Sequence, residues 1–322
     1  MILTGGEFYM TEKYCIAVDT GGTNIRAALI NDHGEVITKI KEQTGTDPLS
    51  TLNKLIDTLY SDNAAKVSGI GLAVAGIIDS DSGIVLWSPH IPKLKNVNLK
   101  SEIKKRFKTN VVIENDANAA ACGEKWTGAG KDYKNFIVLT LGTGIGGGII
   151  IDNKLLPITA EVGHMSINAG GAPCECGNIG CLELYASASA IIGNAVSALE
   201  KGDDSILKGF YNGNFYKITA EDIYKTAIDG DVLARTVLRE AGKNLGIGIA
   251  NLINILSPDA VILTGGLVGA WNIYVESAIQ ETSKRALKEL YAKVKIIPSS
   301  LGDDAGITGA AALVFKTLKT TK

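Results

Sequence analysis

Between Ala160 and Glu183 the chain reads AEVGHMSINAGGAPCECGNIGCLE, a stretch that narrows the possible folds more than any other. It holds three of the five cysteines and one of the three histidines. Cys174 and Cys176 are one residue apart, Cys181 follows, and His164 lies upstream. Three thiolates and an imidazole complete the tetrahedral shell of a structural zinc, and sulfur ligands favour that metal over calcium or magnesium. Gly170, Gly171, Pro173, Gly177 and Gly180 suit a short loop that folds back on itself. Free buried cysteines are the alternative. The Cys-x-Cys-x4-Cys spacing in a glycine-rich loop favours the metal. A four-ligand zinc has no open position for chemistry, so its expected work is to hold the flanking acids, Glu161 and Glu183, in place.

A chain of 322 residues can bury a sizeable core and is expected to divide in two. Lys plus Arg (32) nearly balance Asp plus Glu (34), which disfavours a nucleic-acid partner. No signal peptide or bilayer-length apolar run is present, so a cytoplasmic protein with no membrane partner is expected. A reducing compartment suits zinc better than disulfides, and Cys15 and Cys122 read as small core residues. Met10 offers a second possible start, because MILTGGEFY carries no pattern tied to the fold.

Two β-rich starts, Tyr14 to Glu42 and Asn135 to Leu156, each read as three strands joined by turns and suggest an internal duplication. Helices are expected from Asp47-Pro48 to about Tyr60, over Asn98 to Phe107, from Asp116 through DANAAACGEKW, over Leu182 to Leu199, and over Asp231 to Leu256. GIGLAVAGIID, VVIEN, DAVILTGG and AKVKIIPSS read as strands. The final AGITGAAALVFKTL reads as an apolar helix able to pack back on the first domain.

DTGGT (Asp19 to Thr23) and GTGIGGG (Gly142 to Gly148) each follow a strand. Glycine lets backbone amides approach an anion, and Thr23 and Thr143 add hydroxyl donors, so both turns suit phosphate. Gly142, Gly144 and Gly147 fit G-x-G-x-x-G, yet the β-branched run that follows is no helix, which excludes a Rossmann fingerprint. A P-loop is also excluded, because Gly130-Lys131 is followed by aspartate. A tight turn without ligand explains one such motif. Two of them, with Gly265-Gly266 at a strand-to-helix junction, favour a nucleotide. Strand VVIE ends at Asn115-Asp116, where a carboxylate either caps the helix or accepts a proton from a substrate hydroxyl beside the strand ends.

With DTGGT, ENDAN, LGTGIGGG and the histidine–cysteine knot in view, the chain resembles the ROK family of sugar kinases, above all its bacterial or archaeal glucokinases. The resemblance runs from Tyr14 onward. It implies a duplicated ribonuclease H-like α/β fold of the actin and hexokinase type, two domains with a cleft between them. The expected smaller domain spans residues 1–126, completed by a C-terminal helix at 305–322, and the larger spans 127–304. By motif match Asp116 is the catalytic base, and Gly76, Asn115, Asp116, Glu161, His164 and Glu183 contact the sugar. His164, Cys174, Cys176 and Cys181 match zinc ligands. Asp19, Gly21, Gly22, Thr23, Asn24, Gly142, Thr143, Gly144, Gly146, Gly147, Gly265 and Gly266 fall on the ATP-contacting turns, with Asp19 near the magnesium.

The implied activity is ATP-dependent phosphorylation of a hexose 6-hydroxyl, glucose first, by a homo-oligomer. Fructose, mannose, N-acetylmannosamine and N-acetylglucosamine are the alternative acceptors. Three departures bear on the sugar: Ala75 replaces the family's usual proline, SPHIPKLKN replaces Asn-Leu-Pro-x-Trp and brings in His90 and Asn96, and LPITA shortens the lead into Glu161. Relatives of this core also act as repressors, with an N-terminal helix-turn-helix. The thirteen residues before Tyr14 are too few for one, and the extensive core outside the knot argues against a zinc-ribbon interaction module, so a kinase is expected.

Overall fold

The computed structural model describes residues 12–320. The expectations about Met10 and the residues before it lie outside them. The chain forms two compact units. One contains the chain up to Trp126 and resumes at Gly306, while the other is Thr127–Ala305.

In the first unit β1 (Tyr14–Thr20), β2 (Asn24–Asn31) and β3 (Val36–Gln43) form an antiparallel meander. α1 (Pro48–Tyr60) follows, started by Asp47, whose carboxylate accepts the Ser50 N–H, and by Pro48 in its first turn. β4 (Val67–Val74) then pairs parallel with β1. The run GIGLAVAGIID is not one strand. It breaks at Ala75–Gly76 and resumes as β5 (Ile77–Asp79), which pairs with β6 (Ile84–Trp87). Gly76 has φ 124, and a Cβ there would stand 2.1 Å from the Trp87 carbonyl oxygen, so the bend requires glycine. α2 (Leu99–Phe107) leads to β7 (Val111–Asn115), parallel to β4, and then to α3 (Asp116–Trp126). The sheet order is β3-β2-β1-β4-β7.

The second unit repeats this plan. β8 (Phe136–Leu141), β9 (Ile145–Ile151) and β10 (Lys154–Leu155) form the meander. The 182–199 helix is two pieces, α4 (Glu183–Ala186) and α5 (Ala188–Glu200), because Ser187 leaves helical geometry to accept the Ala190 N–H. α6 (Ala220–Ile228), closed by a Thr219–Asp222 capping box, precedes α7 (Val232–Leu256). Then come β11 (Ala260–Thr264), short irregular turns, α8 (Glu276–Arg285), α9 (Lys288–Tyr291) and β12 (Lys295–Pro298). β11 runs parallel to β8 and β12, giving the order β10-β9-β8-β11-β12. Each sheet is therefore three antiparallel strands followed by two parallel ones.

α10 (Ala305–Thr320) returns to the first sheet. Strand periodicity splits β1 into two faces. Ile16 and Val18 join Leu52, Ile56, Ile103 and Phe107 beneath α1 and α2, whereas Cys15 and Ala17 join Ile307, Ala310 and Val314 of α10. The α10 face is lined with small residues, so backbones come close. A Cβ on Gly71 would lie 2.2 Å from the Ala310 carbonyl oxygen, and one on Gly309 would lie 1.6 Å from that of Ala119. Cys15 and Cys122 are buried free thiols, as expected of core residues, and burial pushes the Cys122 thiol up to about 12. No helix among the described residues is long and apolar enough to cross a membrane. Replacing Gly309 with alanine must separate α10 from α3. The expected result in urea unfolding is a loss of about 1–3 kcal/mol, the usual cost of overpacking a core.

Candidate functional site

The registers bring strand ends level. Thr20, Val74 and Asn115 are in register across β1, β4 and β7, and Thr140 pairs with Thr264 across β8 and β11. Open α/β sheets bind ligands outside these carboxyl ends.

In the first unit Asn115, rather than Asp116, does most of the capping of α3. Its Oδ1 accepts the backbone N–H of Ala117 at 2.9 Å and of Asn118 at 3.0 Å, while its Nδ2 donates to the Gly76 carbonyl at 2.9 Å. An Asp116 carboxylate oxygen also accepts the Ala117 N–H, at 2.9 Å. Glu114, which sequence reading passed over, backs this turn. One of its oxygens accepts the Asn115 N–H at 2.9 Å and the Asn118 side-chain amide at 3.1 Å. The available signal was its place one residue before the strand's polar end.

The Asp19–Thr23 turn joins β1 to β2. The Gly21 N–H donates to the Asn24 carbonyl, the Gly21 carbonyl accepts the Thr44 hydroxyl at 2.7 Å, and the Thr23 carbonyl accepts the Thr44 N–H at 3.0 Å. Asp19 is paired with the Arg26 guanidinium across the strand pair, a partner that sequence reading missed. The Thr20 hydroxyl is buried with no hydrogen-bond partner among the described residues.

In the second unit Gly142–Gly147 spans the turn between β8 and β9. The Gly142 N–H donates to the Gly144 carbonyl, the Gly142 carbonyl accepts the Ala188 N–H at 2.9 Å, and the Gly146 N–H donates to the Thr140 hydroxyl at 3.1 Å. A strand follows, in keeping with the exclusion of a Rossmann fingerprint. Gly265, at φ 97, presses the end of β11 against β8, since a Cβ there would lie 2.5 Å from the Leu141 carbonyl oxygen. A Cβ on Gly142 or Gly266 would meet no atom within 4 Å, so backbone is open at both turns.

His164, Cys174, Cys176 and Cys181 offer ligand atoms that all lie within 4.8 Å of one another. Cys176 Sγ stands 3.7 Å from Cys181 Sγ, and Cys174 Sγ stands 3.7 Å from His164 Nδ1. A tetrahedral zinc with Zn–S of about 2.3 Å needs sulfur–sulfur edges of about 3.8 Å, so the donor set fits. Burial pushes the Cys181 thiol up to about 12, and the Asn178 backbone N–H lowers the exposed Cys176. A metal ion replaces the thiol protons and removes the cost of burying thiolate.

Asn178 braces the loop. Its carbonyl accepts the Cys174 N–H at 2.8 Å, and its side-chain amide donates to the His164 carbonyl at 2.9 Å. Tyr185 adds a second brace, its hydroxyl oxygen accepting the Ala172 N–H at 2.9 Å. The knot places Glu183 Oε1 3.4 Å from His164 Nδ1. Its Oε2 would be 2.9 Å from a Cβ on Gly144, so the acid also lies against the glycine turn. Burial raises Glu161, with His164 opposing that shift and Glu183 reinforcing it. His164, Glu161, Glu183 and Gly144 thus converge on one side of the second unit.

One zinc per chain is expected in elemental analysis of protein made with adequate metal. Replacing Cys176 with serine should lower that content and speed hydrogen exchange over 161–183. Full-length protein without zinc would count against the metal.

The sequence profile described as the ROK family matches residues 15–317. A glucokinase from Halalkalibacterium halodurans is 33% identical over 318 residues, covering 95% of this chain and 96% of the relative. A xylose repressor from Caldicellulosiruptor bescii is 35% identical, covering 93% of this chain and 77% of the repressor. Among solved structures, a ROK family glucokinase from Streptomyces griseus in complex with glucose and AMPPNP matches with TM-score 0.85 and 31% identity. That match covers 94% of this chain and 99% of the other.

Proposed function

The chain belongs to the ROK family, and from that premise we propose that it transfers the terminal phosphoryl group of ATP to the 6-hydroxyl of a hexose, with glucose the first candidate. The observation that carries the reading is the division of labour at Asn115-Asp116. Asn115 ties Gly76, Ala117 and Asn118 together, which relieves Asp116 of acting as the main cap. Glucose as acceptor draws support from the likeness to glucokinases, one of them solved with glucose and AMPPNP.

In this reading Asp116 orients the 6-hydroxyl and takes its proton as phosphate arrives. Asn115 and the Gly76 bend position the sugar from the first unit. Glu161, Glu183 and His164 accept or donate hydrogen bonds to its other hydroxyls. The turns at Asp19–Asn24, Gly142–Gly147 and Gly265-Gly266 offer backbone N–H groups to the nucleotide. Asp19, paired with Arg26, is the acid that would hold magnesium, which would supply charge neutralisation on the phosphates. His164, Cys174, Cys176 and Cys181 would hold the zinc, which would fix the His164 ring and the neighbouring Glu183 in place.

A sugar-responsive regulator is the second reading, favoured by the 35% identity to a xylose repressor. ADP release over a panel of hexoses separates the two, because a regulator binds sugar without consuming ATP. Asp116→Asn tests the mechanism directly. With Asn115 still capping α3, the variant should melt near wild type and bind ATP, yet lose turnover by roughly 10²–10⁴-fold. Near-normal turnover would return Asp116 to a structural role.

A further inference from the structure

The loop Ser88–Asn96 is one of the three places where the sequence was expected to depart from the usual ROK pattern near the sugar, and it brings in His90 and Asn96. The structure separates them. Asn96 adopts φ 61, and its N–H donates to the Val85 carbonyl at 2.7 Å, so it closes a turn. His90 lies against the glycine turn between β1 and β2. A Cβ on Gly22 would stand 2.7 Å from His90 Cβ and 3.1 Å from its carbonyl oxygen, so glycine at 22 is what admits the histidine.

The same segment covers the Gly76 bend. A Cβ on Gly76 would meet the Trp87 carbonyl oxygen at 2.1 Å and Ser88 Cα at 2.9 Å. The Ser88 hydroxyl donates to the Ala75 carbonyl at 2.7 Å, the Ile91 N–H donates to the Ser88 carbonyl, and the Lys93 ammonium donates to the Thr46 carbonyl. Residues 87–93 are therefore latched at both ends and run from one turn to the other. His90 is exposed, and its ring makes no hydrogen bond or ion pair among the described residues.

We propose that His90 contacts the phosphoryl group in transit, its imidazole N–H donating to a phosphate oxygen. The proposal rests on the sugar-kinase reading, which puts the sugar at Gly76 and the nucleotide phosphates at Gly21–Thr23. The group must travel between those two turns, and His90 sits on the segment that spans them. In the transfer, the bond from the γ-phosphorus to the bridging oxygen of ADP breaks and one to the sugar 6-oxygen forms. The hydroxyl proton goes to Asp116, and His90 makes and breaks no covalent bond. An imidazole offers a donor in either tautomer and adds positive charge when protonated, which suits the charge spread over phosphoryl oxygens.

The test compares His90→Ala and His90→Gln with wild type in the full chain. Three quantities are read: turnover, calorimetric affinity for glucose, and affinity for glucose 6-phosphate. His90→Ala should lower kcat and weaken glucose 6-phosphate by about 10- to 100-fold, the worth of one hydrogen bond to a charged group, and leave glucose affinity unchanged. His90→Gln, which keeps an N–H donor, should recover most of both losses. Parameters within about twofold of wild type in His90→Ala would overturn the proposal. So would equal weakening of glucose and glucose 6-phosphate, or a loss that tracks a lower melting temperature in both variants. A wild type that phosphorylates no hexose defeats the kinase reading itself, an outcome distinct from an active wild type indifferent to His90.

Discussion

One side chain sets the geometry of the first unit's strand ends. Asn115 satisfies two orphan donors at the start of α3 and the carbonyl of Gly76, so a strand, a helix and a bend meet at a single amide. Those three bonds use both ends of the amide, and Asn115 is buried. Aspartate at 115 could accept the two N–H groups but would turn a carboxylate oxygen toward the Gly76 carbonyl, an acceptor facing an acceptor. The adjacent acid at 116 needs no such donor. The order Asn-Asp is thus a physical requirement rather than a choice between near-equivalent caps.

The second unit meets the same need by different means. Its sheet repeats the first unit's strand plan, but the segment after β10 contains little regular structure until α4. Apolar burial there is sparse, with Ile158 and Ile179 exposed. The Asn178 amide and the Tyr185 hydroxyl brace the 164–185 loop instead, and His164, Cys174, Cys176 and Cys181 gather their ligand atoms within 4.8 Å of one another. A metal ion bound there would do what a hydrophobic core does elsewhere, in a loop too short and too rich in glycine to build one.

The strands were legible because β-branched runs stop at glycine or polar turns, and the duplication was visible in the recurrence of strand, turn and strand. Its strength was not, since the two sheets agree in pairing while Tyr14–Glu42 and Asn135–Leu156 share few residues. Errors arose where one residue's backbone outweighed an apolar pattern. Gly76 bends what looked like a single strand, and Ser187 divides what looked like a single helix. The gathering of His164, Cys174, Cys176 and Cys181 was legible from spacing alone, because few other arrangements put three cysteines and a histidine in one loop. Arg26, Glu114, Asn178 and Tyr185 were not, since their partners are set by register and by loop closure rather than by neighbours in sequence.

The first unit draws on both ends of the chain, and this bears on the order in which a ribosome could deliver it. Ile307, Ala310, Ala311 and Val314 form the cover for Cys15, Ala17, Ala28 and Ile30, yet they are synthesised after the whole of the second unit. During elongation that sheet face lacks its α10 cover and has only α3, through Ala119, against it, while Thr127–Ala305 already holds its complete set of strands and helices. The later-made unit is thus the first able to finish folding, which reverses the usual N-terminal-first order of domain maturation. The alanine and cysteine character of the waiting face then gains a second meaning. Small side chains leave it less sticky than the isoleucine and leucine of the opposite face, and so safer to leave bare until α10 arrives.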